Sequence, residues 1–162
     1  MEATEKRAKA YHYFEDFSAG DTLELGSFQM DEADMILFAR RYDPQPFHVD
    51  PVAARASIYG GLIASGWHTV SLFMSVLVNT LLLQTASLGS PGVEELRWPA
   101  PVRPGDRIKG HMTVLATRPS VSRPEMGIVR WRGEARNQEG TVVLSLVGAN
   151  FFGRREKINP DK

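Results

Sequence analysis

The sequence predicts an α+β domain in which a curved antiparallel sheet wraps one long central helix. Three observations carry that prediction. The segment 62–83 is apolar on most sides, with only scattered polar groups, as a helix inside a core requires. From residue 92 onward, short β-rich runs alternate with Pro/Gly punctuation, the pattern of successive antiparallel strands. A further alternating run precedes the helix, over residues 21–30. A single sheet of about five strands covers such a helix on one side only, so a second copy of the chain is expected to cover the rest as a homodimer or a higher homo-oligomer.

Residues 1–13 read as a flexible, mixed-charge tail, 14–153 as the domain, and 154–162 as a polar tail. Phe14 to Gly20 supplies turn chemistry ahead of the first strand. Asp31 then caps a helix whose first turn carries Asp34 and whose apolar stripe is Met35, Ile36, Phe38 and Ala39, up to Arg41. Two prolines, Pro44 and Pro46, flank Gln45. Each ring fixes its own φ and biases the preceding residue away from α, which predicts an extended, non-helical path from Asp43 to His48. Residues 51–56 form a short helix with Pro51 in its first turn and Asp50 as its cap. Gly60 and Gly61 break the chain before the long helix, which begins around Ser65 and so places Gly66 in its first turn. Strands follow over 92–98, 107–117, 127–137 and 141–152, with turns at 101–106, 119–124 and 137–140. The last two strands form a hairpin.

Composition narrows the function classes. Lysine plus arginine equals aspartate plus glutamate at 19 each, so there is no overall pull towards nucleic acid or an acidic membrane. The absence of cysteine excludes disulfides, thiolate metal sites and a cysteine nucleophile, and fits a reducing compartment such as the cytoplasm. The first ten residues contain no apolar run of the secretory kind. The segment 62–83 approaches the ~20 residues a bilayer needs, yet it carries His68, Thr69, Ser71, Ser75 and Asn79, which favours a buried helix over a membrane span. The four histidines show no paired ligand spacing, so no metal is expected.

The chemistry concentrates around Asp43, His48 and Gly66. Histidine exchanges protons near neutral pH, and a carboxylate five positions away on a stiff loop can share one water with it. Gly66, at a helix start, offers a free backbone N–H at the positive end of the helix dipole, with no side chain to keep an anionic oxygen away. His68, two positions on, reads as a packed core histidine.

These residues form part of a wider pattern. Asp43, Pro46, His48 and Asp50, followed by Ile63-Ala64-Ser65-Gly66 and then by the block from Trp98-Pro99-Ala100-Pro101-Val102 to Gly105-Asp106, resemble the MaoC-like dehydratases and R-specific enoyl-CoA hydratases. Gln45 stands where that family most often has asparagine, and Ser65 where many of its hydratases have histidine. The resemblance implies a hot-dog fold and a hydro-lyase that adds water reversibly to an α,β-unsaturated acyl-CoA thioester. It gives Asp43 and His48 a shared acid–base role, makes the Gly66 N–H the oxyanion donor, and requires no cofactor beyond the coenzyme A of the substrate. Tyr59, Ser65 and Trp67 are then expected beside the substrate, with a surface tyrosine in a Gly-flanked loop as an equal reading of Tyr59. Arg97 and Arg103 are candidates for the coenzyme A phosphates, with exposed strand arginines as the competing reading. A thioesterase of the same fold and a non-catalytic acyl-CoA-binding or partner subunit are the alternatives.

Overall fold

The computed structural model describes residues 11–155. The expected tail segments 1–10 and 156–162 lie outside the described residues. Within the expected amino-terminal tail, His12 bridges in parallel to Thr85. Arg154 and Arg155, at the other end, pair with Glu15 and Asp16.

Strand β1 (Thr22–Gln29) leads into helix α1 (Glu32–Tyr42), whose cap is Asp31, its carboxylate accepting from the Asp34 N–H. Two short helices follow, α2 (Pro46–Val49) and α3 (Pro51–Arg55), and Asp50 caps the second by accepting from Val52 and Ala53. The long helix α4 (Gly66–Thr80) precedes strands β2 (Gly92–Arg97), β3 (Arg107–Pro119), β4 (Met126–Arg136) and β5 (Val142–Gly153). All strand pairs are antiparallel, in the order β1-β3-β4-β5-β2. β4 and β5 form the expected hairpin, closed at Asn137 and Gly140.

One expectation fails. The path from Asp43 to His48 is not extended throughout, because Pro46 opens α2 and His48 lies within that helix. Proline at a first helical position gives up no hydrogen bond, since that N–H has no intrahelical partner, and its fixed φ already suits a helix. Only the approach is extended: Gln45, before the second proline, sits at φ −72° and ψ 143°.

One close contact between α4 and the sheet comes from Phe73. Phe73, 1 % exposed, projects from α4 into a hollow over β3 and β4 where Gly110 and Gly133 carry no side chain. A Cβ on Gly133 would lie 2.6 Å from the Phe73 ring, so the glycine is what lets helix and sheet close. Truncating Phe73→Ala leaves that hollow unfilled and should destabilise the fold by about 3–5 kcal/mol, read as a lowered denaturant midpoint. Leu77 and Thr69 share the buried face, and the Thr80 hydroxyl donates to the Leu25 carbonyl at 2.6 Å, pinning the end of α4 to β1.

His68 is also buried and stacks on Phe38 of α1, ring centroids 4.7 Å apart. Burial lowers its pKa, and the charge of Asp34 opposes that only in part. The opposite face of α4 is uncovered: Trp67 and Met74 are exposed. The segment Gly66–Gln84 is long and apolar enough to cross a bilayer, but its buried face packs on the sheet of this domain.

Candidate active site

Asp43 ends α1 and His48 lies in α2, so the turn between the two helices sets their separation. The His48 Nε2 stands 3.3 Å from Asp43 Oδ2. On the other side of the ring, Nδ1 lies 2.8 Å from the Ile63 carbonyl oxygen, a contact that requires Nδ1 to carry the proton. In the neutral ring Nε2 is therefore the free base, and it stands beside the carboxylate.

Two side chains donate to Asp43, and a third stands beside it. The Gln45 amide donates to Oδ1 at 2.8 Å, the Ser65 hydroxyl donates to Oδ2 at 2.8 Å, and the His48 ring stands beside Oδ2. Burial works to raise the pKa of this carboxyl, but the Gln45 and Ser65 hydrogen bonds and the charge of His48 outweigh it and hold the group below its ordinary value. Asp43 is thus an ionised acceptor at neutral pH.

Ser65 occupies the N-cap position of α4, where a serine usually caps the helix with its own oxygen. Here its hydroxyl, fully buried, is spent on Asp43 and makes no cap bond. The first-turn N–H groups of α4, that of Gly66 first, consequently keep the donor capacity that a helix start always has.

A cavity of about 580 Å³ joins these parts, lined by Asp43, His48, Tyr59, Gly66, Trp67 and Trp98 among others. Of the residues singled out in the sequence, five line it: Asp43, His48, Tyr59, Gly66 and Trp67. Ser65 lies behind the wall, bonded to Asp43. Arg97 pairs with Glu95 at 3.0 Å on the surface, and Arg103 donates to the Tyr59 carbonyl at 2.6 Å, bracing the turn that carries Tyr59; neither lines the cavity. Among the described residues, no cluster of three or more His, Asp or Glu is placed to hold a metal ion.

Sequence reasoning left two residues of the site without a role. Gln45 is visible inside the Asp43–His48 stretch, and its spacing of two from Asp43 could have suggested the amide–carboxylate bond. Trp98 follows directly after β2, and nothing local to it announces that its indole reaches α4.

A single antiparallel sheet wrapped on one long helix, with a carboxylate–imidazole pair at that helix's amino end, defines a hot-dog-fold protein. The MaoC like domain family model matches residues 16–129, and the chain belongs to the MaoC-like dehydratase family. Among its relatives is an (R)-specific enoyl-CoA hydratase of Rhodospirillum rubrum, 32% identical over 113 residues that make up 67% of this chain and 73% of that protein. Protein MaoC of Klebsiella aerogenes is 31% identical over 102 residues, 62% of this chain, and the match spans only 30% of its length. A solved MaoC-like dehydratase from Rhodospirillum rubrum is 41% identical and superposes with a TM-score of 0.82 over 90% of this chain and 99% of its own.

Proposed function

We propose that the chain is a hydro-lyase that adds water reversibly across the double bond of a 2-enoyl-CoA thioester. The observation that carries this reading is the Asp43–His48 pair at 3.3 Å, lining the same cavity as Gly66 at the start of α4. The hydratase relative in Rhodospirillum rubrum supports the substrate class.

In the hydration direction, a water held between His48 Nε2 and Asp43 gives a proton to this pair as its oxygen bonds to C3. Electron density moves to the thioester oxygen, where the Gly66 N–H and the helix dipole stabilise it. The proton returned by the pair to C2 completes the addition, and the thioester remains intact. Dehydration is the same path reversed. Asp43, ionised and held on both oxygens, orients the water and stabilises the imidazolium formed in passing.

Screening the purified protein against a panel of enoyl- and hydroxyacyl-CoAs, while following enoyl absorbance and free thiol together, tests the reading. Consumption of the enoyl group without thiol release supports it. Thiol release would make the protein a thioesterase, and binding without turnover a non-catalytic subunit.

The exposed face of α4 supports a second copy of the chain as the partner, because Trp67 and Met74 would otherwise leave an apolar strip open beside the cavity. Sedimentation should return twice the chain mass or a higher multiple; a monomer at micromolar concentration would contradict it.

A further inference from the structure

The absence of a side chain at position 66 has an occupant. A Cβ built on Gly66 would fall inside the indole of Trp98, 2.7 Å from its Cδ2 and from its Nε1. The same indole donates its N–H to the Gly66 carbonyl oxygen at 3.0 Å, and its ring meets Trp67 edge to face at 5.4 Å. Trp98 stands just after β2, at the opposite end of the sheet order from β1, so this bond ties the sheet edge to the first turn of α4. Both tryptophans line the cavity.

This arrangement bears on the donor itself. Gly66 is the first residue of α4 and Ser65 makes no cap bond to steady it, so the peptide planes of that turn need another support. The only side-chain hydrogen bond recorded to Gly66 among the described residues is the one from Trp98. A shift of the 66 carbonyl rotates its own peptide plane, moves the helix start, and with it the N–H on which the thioester oxygen depends. Preorganised donors lose their effect steeply when misaimed.

We propose that Trp98 is a positioning residue for the oxyanion donor: its indole N–H and ring clamp Gly66, and position 66 is a glycine in this chain because the indole fills the space a side chain would take. The proposal rests on the hydratase reading of the same site. It differs from the reason the sequence suggests for this glycine, that an anionic oxygen needs the room.

The consequence is a coupling between positions 66 and 98. Trp98→Phe keeps a ring on the glycine but removes the donor, and it should lower kcat about tenfold while KM for the enoyl-CoA stays within about twofold, with the melting temperature little changed. Gly66→Ala expels the indole; its tryptophan emission should shift to the red, and kcat should fall by about a hundredfold. Trp98→Ala removes the obstacle, so adding Gly66→Ala to that background should cost no more than about twofold in kcat. The experiment measures kcat, KM and emission for the wild type, the three single variants and the Gly66→Ala/Trp98→Ala pair, with circular dichroism confirming that each is folded. An unchanged kcat in Trp98→Phe overturns the proposal. So does an alanine at 66 that costs as much without Trp98 as with it, for then the substrate and not the indole demands the glycine. Should the wild type turn over no enoyl-CoA, the functional reading fails; the emission shift in Gly66→Ala, and its absence when Trp98 is already alanine, still decide whether the clamp exists.

Discussion

Purified Asp43→Asn and His48→Ala variants should each fold and each lose about a hundred- to ten-thousandfold in kcat, the range that acid–base groups contribute. The two substitutions damage different things. Asparagine keeps the shape of Asp43, but it cannot carry the negative charge that faces Nε2, and its amide must now meet the donors from Gln45 and Ser65. Alanine at 48 removes the base and leaves the Ile63 carbonyl without the ring N–H that it accepts from. Because the groups act on one water, the double variant should be scarcely slower than the worse single. Stopped-assay rates on a 2-enoyl-CoA, with thermal melts to confirm folding, measure all three. Near-wild-type rates in either folded single variant would exclude the pair as the acid–base apparatus.

Ser65→Ala should produce the second large effect, and it is best seen as a function of pH. The Ser65 hydroxyl donates to Asp43 Oδ2 from a site with no exposure at all, so water does not readily take its place. Asp43 titrates below its ordinary value in the fold, and its contribution to stability is therefore fully present above the unfolded pKa of ~3.9 and is lost as pH falls through the lower folded value. Removing Ser65 takes away one of the bonds that oppose the effect of burial. The Asp43 pKa then rises, the contribution shrinks, and the variant should be less stable than wild type by about 1.5–3 kcal/mol at pH 7, the worth of a hydrogen bond to a charged group. In strong acid, where Asp43 is protonated in both proteins, the difference should narrow. The acid limb of kcat/KM should likewise move to higher pH, since the reaction needs the carboxylate ionised. Acid limbs that superimpose would show that Ser65 does not govern Asp43.

The fold was legible because its parts are local. Periodicity and turn residues marked all five strands, and Asp31 and Asp50 marked two helix starts that the structure confirms by their cap bonds. The turn holding Asp43 and His48 departs from the expected extended path for a physical reason: a proline discourages helix in the residue before it, yet is welcome as a helix's own first residue. Pro46 does both at once. Tyr59 and Trp67, expected beside the substrate only once the resemblance was drawn, line the cavity, while the pair itself and the helix start at Gly66 followed from motif spacing. The supports did not. That Ser65 abandons its own helix to hold Asp43, that Arg103 braces the Tyr59 turn, and that Trp98 seats on Gly66 are contacts between segments 22, 44 and 32 positions apart, set by how the sheet edge and loops close over α4. No local pattern encodes such distances.

In the proposed reaction Asp43 and His48 direct one water to C3 of an acyl thioester and leave the thioester bond untouched. Mass spectrometry of the product formed from a trans-2-enoyl-CoA in heavy-oxygen water tests it most directly. The expected product is a 3-hydroxyacyl-CoA carrying one heavy oxygen on C3, formed by the wild type and not by His48→Ala. A heavy oxygen in a free carboxylate, with coenzyme A released as the thiol, would contradict it.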